Sequence, residues 1–315
     1  MKITAKRFSH LVFATAVVIG TAIAGYSQAG APAPAPAPTD YSKVEMVTTK
    51  ISNSLYTLDG TGGRIGVLVG PDGIFMVDDE FAPLSDKIVA AIRKISNGQI
   101  RFLVNTHVHP DHTGGNENFG KMGVVLLSRD ELRYRLQHPQ PGANGAPAPS
   151  APAAALPLIT YEGPVTFHMD GDEVQLIPIR RAHTDGDTMV KFPASDAIMT
   201  GDFFRSVGYP NIDRANGGSL PGMLDGLSAV IGQAGPKTKI IPGHGDIVDR
   251  SAVVAHRDMI IVIRDRVADL IKQGKSQQEV LAAHPTADYD AKVPQAAQTS
   301  DRFIGQLYAE LSGAK

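Results

Sequence analysis

Short runs of aliphatic and aromatic residues mark the start of the folded part of the chain. Leu55–Leu58, Ile65–Val69 and Ile74–Val77 are separated by Gly62-Gly63 and by Pro71-Asp72-Gly73. Such breaks supply the backbone angles of tight turns, so the three runs predict an antiparallel meander. From Pro83 to Ile95 the spacing lengthens, with Ile88, Ala91, Ile92 and Ile95 on one helical face, and Ile100–Val104 reads as a buried strand. Strand signals return at Val165–Met169, Glu173–Ile179, Met189–Phe192, Ala197–Thr200 and Lys239–Ile241. Leu224–Gly232, Ser251–Lys272 and Ser300–Leu311 carry helical spacing, and Ser276 with Glu279 forms a capping box for a short helix ending near Ala283. No internal repeat is visible. Two successive sets of strands followed by helices predict an α/β or α+β fold built in layers, as two sheet-and-helix halves.

The N-terminus follows another logic. Lys2, Lys6 and Arg7 precede the apolar stretch Leu11–Ala24, and Ser27-Gln28-Ala29 offers a small-x-small cleavage site. This order is that of a secretory signal peptide, residues 1–29. A membrane anchor is the alternative, but the apolar run is shorter than the roughly 20 residues a spanning helix uses. No cysteine follows to take a lipid. Ala31–Pro38 alternates alanine and proline within a linker (30–40), and Pro139–Pro157 is a second Pro/Ala-rich stretch inside the folded part. Segments of this kind behave as extended, semi-rigid spacers. The expected organisation is therefore one exported domain, residues 41–315, with an exposed insertion at 139–157 and a periplasmic or secreted location.

Composition narrows the chemistry. A chain of 315 residues can bury a sizeable core, and its complete lack of cysteine rules out disulfides, thiolate metal sites and a cysteine nucleophile. Any metal must be held by nitrogen and oxygen. With 30 Lys+Arg against 32 Asp+Glu, a formal charge of −2 and no dense basic block, nucleic acid and anionic membrane surfaces are not expected partners. A small-molecule substrate is.

That metal chemistry has an obvious address. After Arg101–Asn105 comes Thr106-His107-Val108-His109-Pro110-Asp111-His112-Thr113-Gly114-Gly115. His107 and His109, two apart on extended backbone, point the same way and can share one metal. Asp111 and His112 follow at a turn and can face a second. Three further candidates sit at strand ends: His183, Asp202 after Ile198–Gly201, and His244 between Gly243 and Gly245. Four polar strand-end sites suit one shared mouth. No Gly-x-Ser-x-Gly nucleophile elbow is present. His138, His168, His256 and His284 lack metal-like surroundings, and His10 falls in the signal peptide.

His-x-His-x-Asp-His, followed by a lone His, an Asp and a final His, resembles the metallo-β-lactamase superfamily over about residues 44–250. The resemblance implies an αββα sandwich with a dinuclear site at one edge. It would give two Zn²⁺ per chain, the first on His107, His109 and His183 and the second on Asp111, His112 and His244, with Asp202 bridging. Asp78 falls where the family has a supporting carboxylate. Asp111 would also serve catalysis by orienting the nucleophile and taking its proton. The loop Tyr209–Ser219 would face substrate, with Asn216 as an oxyanion donor, and the hairpin tip Asp59–Arg64 could flap over the site. Arg180, Arg181 and Arg205 are either carboxylate grips or plain surface charges.

Departures from the pattern bear on the substrate. Cysteine-containing β-lactamases carry Cys where this chain has Asp202, which instead is similar to glyoxalase II-like thioesterases and lactonases. Diiron members carry Glu where His109 stands. Export fits β-lactam hydrolysis better than a cytosolic thioesterase. The expectation is a promiscuous zinc hydrolase of cyclic or activated acyl bonds, with β-lactam hydrolysis favoured and a lactonase or thioesterase as the rival. An exported, non-catalytic metal-binding protein of a redox or maturation system is the reading from another class. N-terminal sequencing of the exported protein should begin at Gly30; an intact N-terminus in a membrane fraction would restore the anchor.

Overall fold

The computed structural model describes residues 39–141 and 145–313. The signal-peptide and anchor readings, and nearly all of the Ala/Pro linker, lie outside the described residues. The first half runs β1 (Val47–Lys50), β2 (Leu55–Asp59), β3 (Ile65–Gly70), β4 (Gly73–Val77), α1 (Ser85–Arg93), β5 (Ile100–Val104), α2 (Pro110–Thr113), α3 (Asn116–Lys121), β6 (Val125–Arg129), α4 (Asp130–Gln137) and β7 (Ile159–Tyr161). Its seven strands form one sheet in sequence order. β1 to β4 pair antiparallel through hairpins, whereas β4 to β7 are parallel.

The second half runs β8 (Val165–Met169), β9 (Asp172–Pro178), β10 (Thr188–Phe192), β11 (Ala197–Gly201), α5 (Leu220–Gln233), β12 (Lys239–Pro242), α6 (Arg250–Lys272), α7 (Gln277–Ala282), α8 (Ala287–Asp290) and α9 (Ala296–Leu311). Here the sheet order is β12-β11-β10-β9-β8, antiparallel except for the β11–β12 pair.

Side-chain alternation turns these two sheets into four layers. In β4, Phe75 and Val77 enter the core between the sheets, where they meet Val174, Val190, Phe192 and Met199 of the other half. Ile74 and Met76 point the opposite way and pack with Ile88 and Ile92 of α1. In the second sheet Ile198 and Ile240 face outward to α5, α6 and α9, burying Leu227, Ile260 and Phe303. A strand wholly buried on both faces shows a continuous apolar run, as β4 and β11 do. The result is an αββα sandwich.

The elements read from sequence recur with small boundary changes, and the capping box of Ser276 and Glu279 opens α7. Several elements lacked a local signal. All four residues of β1 are exposed, so no alternation marks it. β7 has three residues and exists through its pairing with β6. The Pro/Ala-rich stretch is exposed around 145–147, but its end is sewn into the domain: Ala151 N donates to Leu136 O (2.9 Å), and the buried Ala155 offers its carbonyl to Asn116 Nδ2 (3.2 Å).

Candidate metal centre

β4 and β5, parallel neighbours, end side by side, and the chain leaving β4 enters the left-handed region at Asp78 (φ 61°). That conformation is unusual for a residue with a side chain. It is held by what the buried carboxylate does. Asp78 Oδ1 accepts the Thr106 amide (2.7 Å), and Oδ2 accepts both Thr106 Oγ1 (2.7 Å) and His112 Nδ1 (2.8 Å). One side chain thus ties the end of β5 to the short helix α2.

Around this tie the seven acid and imidazole groups converge. Donor atoms of His107, His109 and His183 lie within 4.8 Å of one another, as do those of His107, His112 and Asp202, and those of Asp111, His112 and His244. The Asp202 carboxylate stands between the sets, 3.5 Å from His112 Nε2, 3.5 Å from His244 Nε2 and 4.0 Å from His183 Nε2. Within the sets, His183 Nε2 is 2.9 Å from His109 Nδ1, and His244 Nε2 is 3.0 Å from Asp111 Oδ2.

These residues fit a metal for two reasons. His107 Nε2, His112 Nε2 and Asp202 Oδ1 are buried and have no hydrogen-bond partner among the described residues, a costly arrangement unless an ion takes their lone pairs. The other nitrogen of four of the rings is tied down, which fixes ring orientation. His107 Nδ1 donates to Thr106 Oγ1 (3.1 Å), His112 Nδ1 to Asp78, His183 Nδ1 to Asn211 O (2.6 Å) and His109 Nε2 to Asp213 Oδ2 (2.7 Å). The donor set is nitrogen and oxygen throughout and can hold metal ions in overlapping groups.

Electrostatics divide these groups: His107 and His183 are held neutral and the two acids ionised, as ligation requires, whereas His112 keeps its proton and would release it on binding an ion. Burial, joined by the charges of His112 and His183, holds His107 well below the usual imidazole range. Burial also brings His183 down to about 4 against the pull of Asp202. In His112 burial is outweighed by Asp78 and Asp202, which hold the ring well above its ordinary value. Burial pushes Asp202 and Asp111 up, but neighbouring imidazoles win in both: Asp202 lies well below the carboxylate range, and Asp111 falls to about 2 through His244 and His112. Both acids are ionised at neutral pH.

Glycines let the backbone approach this crowded cluster. A Cβ at Gly63 would land on the His112 ring, and one at Gly243 on Asp202 Oδ1. The hairpin tip is clamped: Glu80 accepts the amides of Gly60 (2.7 Å), Thr61 (3.1 Å) and Gly62 (2.9 Å), and Gly63 N donates to Asp111 O (2.9 Å). A free flap is not what these bonds describe.

Asn216 also differs from the expected oxyanion donor. Its Nδ2 donates to Asp213 Oδ2 (2.6 Å), so the amide buttresses the carboxylate that orients His109. Arg205 Nη1 reaches within 3.7 Å of Asp202 Oδ2, whereas Arg181 turns to Gly217 O (3.4 Å) and Arg180 is exposed. Sequence reasoning overlooked Asp213, Asn211, Thr106 and Glu80. Each is an ordinary polar residue in a loop, and only the tertiary contact with a candidate ligand or its loop gives it meaning.

The sequence profile of the metallo-β-lactamase superfamily matches residues 60–246. A linear primary-alkylsulfatase from Pseudomonas sp. is 41% identical over 54 residues, 17% of this chain and 10% of that protein. Among solved structures, a stereoselective inverting sec-alkylsulfatase from Pseudomonas sp. superposes with a TM-score of 0.66 at 16% identity, over 86% of this chain and 51% of its own. A metallo-β-lactamase from Pontibacter korlensis gives 0.57 at 17% identity, over 68% of this chain and 99% of its own. At such identities the superpositions speak to the fold. The chain spans a tenth of that curated relative and about half of the alkylsulfatase structure.

The packing at Gly63 yields a test. Gly63→Ala should weaken metal retention by roughly tenfold or more, the scale of a disturbed ligand orientation. Gly232→Ala, whose Cβ on α5 meets nothing within 4 Å among the described residues, should retain metal and melt at or slightly above the parent. Elemental analysis after desalting, read beside thermal melting, separates the two. Equal metal content in both variants would contradict the close packing.

Proposed function

The chain belongs to the metallo-β-lactamase superfamily of metallohydrolases, and on that premise we propose that it is an exported, dinuclear zinc hydrolase of small acyl substrates. The observation that carries this reading is the Asp202 carboxylate, within 3.5 to 4.0 Å of imidazoles from both ligand groups. In this assignment His107, His109 and His183 would hold one ion and Asp111, His112 and His244 the other, with the Asp202 carboxylate within reach of both groups. Imidazole-rich nitrogen and oxygen donors favour zinc. Bound zinc would supply Lewis acidity and bring the pKa of water towards ~7.

The chain's own groups then have defined tasks. Asp111, with part of its side chain open to solvent and its carboxyl held near 2, is ionised and placed to accept a proton at Oδ2 from an attacking water. Asp78, Asp213 and the Asn211 carbonyl hold the imidazoles in single orientations, so little reorganisation accompanies reaction. With a carboxylate rather than a soft thiolate at 202, a poor leaving group such as an amide nitrogen gains less help. Activated esters and lactones should therefore react at least as readily as β-lactams, through the same centre.

A second reading, hydrolysis of sulfate esters, is favoured by one observation. The alkylsulfatase likeness extends over 86% of the chain, into the C-terminal helices, against 68% for the β-lactamase. A panel of chromogenic β-lactam, lactone, thioester, phosphodiester and sulfate ester substrates on the zinc-loaded protein decides between them. Asp202→Asn should cut turnover of every accepted substrate by about a hundredfold or more, the scale of losing one preorganised electrostatic contact, while leaving the far-ultraviolet circular dichroism unchanged. Esterase activity that survived chelation while β-lactam opening vanished would mean two separate sites.

A further inference from the structure

Beside the candidate metal centre lies a cavity of about 400 Å³. Four segments build it: the stretch following β11, Val248 ahead of α6, one face of α6, and the chain from Tyr289 in α8 to Pro294 before α9. Phe204, Val248, Ala252, Met259 and Val293 give it a mainly apolar wall. Arg205, Ser206, His256 and Lys292 interrupt that wall, and a buried nitrogen in two of them, Arg205 Nε and His256 Nε2, has no hydrogen-bond partner among the described residues. The His256 ring stands edge-on to Phe204, with centroids 5.2 Å apart.

Arg205 joins this cavity to the proposed catalytic groups. It lines the cavity, yet its Nη1 lies 3.7 Å from Asp202 Oδ2. A guanidinium whose side chain is only 20% exposed, with one buried donor unsatisfied, calls for an acceptor. Lys292 adds a second positive charge at the exposed rim. The volume falls in the range of small-molecule pockets, and the concave wall suits an apolar chain or ring.

We propose that this cavity is the subsite for the apolar part of the substrate, whose anionic group lies against Arg205 at the metal centre; the enzyme thus selects amphiphilic anions. The proposal rests on the hydrolase reading above. It assigns specificity to residues of α6 and of the chain before α9, beyond the segment matched by the superfamily profile.

Calorimetric titration of the metal-loaded full chain with straight-chain carboxylates, butanoate to decanoate, tests it. Affinity should rise roughly two- to fourfold per added methylene until the cavity is filled. Ala252→Phe, which places a ring in the cavity, should flatten the series while metal content stays at the parent value. Arg205→Gln should weaken octanoate more than the uncharged octanol. A flat series in the parent protein, or an undiminished one in Ala252→Phe, overturns the proposal. So does an Ala252→Phe variant whose sedimentation shifts while its chain-length series persists, because the face would then belong to a second copy of the chain. Turnover is scored separately. Chain-length dependence without hydrolysis of any substrate would remove the hydrolase reading and keep the amphiphile site, and hydrolysis with a flat series would do the reverse.

Discussion

The Asp78 carboxylate is the constraint from which the site follows. Buried at the end of β4 in a left-handed conformation, it accepts three hydrogen bonds from Thr106 and His112. Those bonds offset the local strain. The two acids that follow extend the clamp. Asp79 accepts the Gly115 amide (3.0 Å) and is pushed well above the carboxylate range by burial, and Glu80 gathers three amides of the hairpin tip. Three consecutive acids thus fasten the metal loop, the glycines after it and the tip of the β2–β3 hairpin. Removing any one would loosen a different wall of the same centre.

The sandwich explains why the ligands meet. Each sheet has parallel neighbours, β4 with β5 and β11 with β12, whose ends carry polar turns to one edge, while the core between the sheets stays apolar. The C-terminal helices complete the arrangement from outside. α9 holds the 209–220 segment through Thr299 Oγ1 to Tyr209 N (2.9 Å), Gln306 Oε1 to Ile212 N (3.0 Å) and Glu310 to Leu220 N (3.0 Å). That segment carries Asn211 and Asp213, which orient His183 and His109. A helix outside the matched region therefore fixes two candidate ligands, and α6 and the chain before α9 wall the neighbouring cavity.

Much of this was legible in the chain because its signals are local. Doubly buried strands such as β4 and β11 show as continuous apolar runs, and a His-x-His-x-Asp-His cluster stands out in any loop. What escaped depends on partners that the residue's own pattern does not announce. β1 is exposed along its whole length and owes its conformation to β2. Asn216 looked like a free donor although Asp213, three residues away, engages its amide; the purpose of that bond shows only when Asp213 meets His109, distant in sequence. His256 seemed idle for the same reason: its unpartnered nitrogen matters only once α6 packs beside Arg205.

Two overlapping ligand groups sharing one carboxylate are the centre of the account, and metal stoichiometry tests them most directly. Metal-free protein reconstituted with zinc at neutral pH and freed of excess ion should hold about two ions per chain by elemental analysis, as a paired site requires. One ion, or none, would contradict the proposed shared role of Asp202 and with it the proposed dinuclear centre.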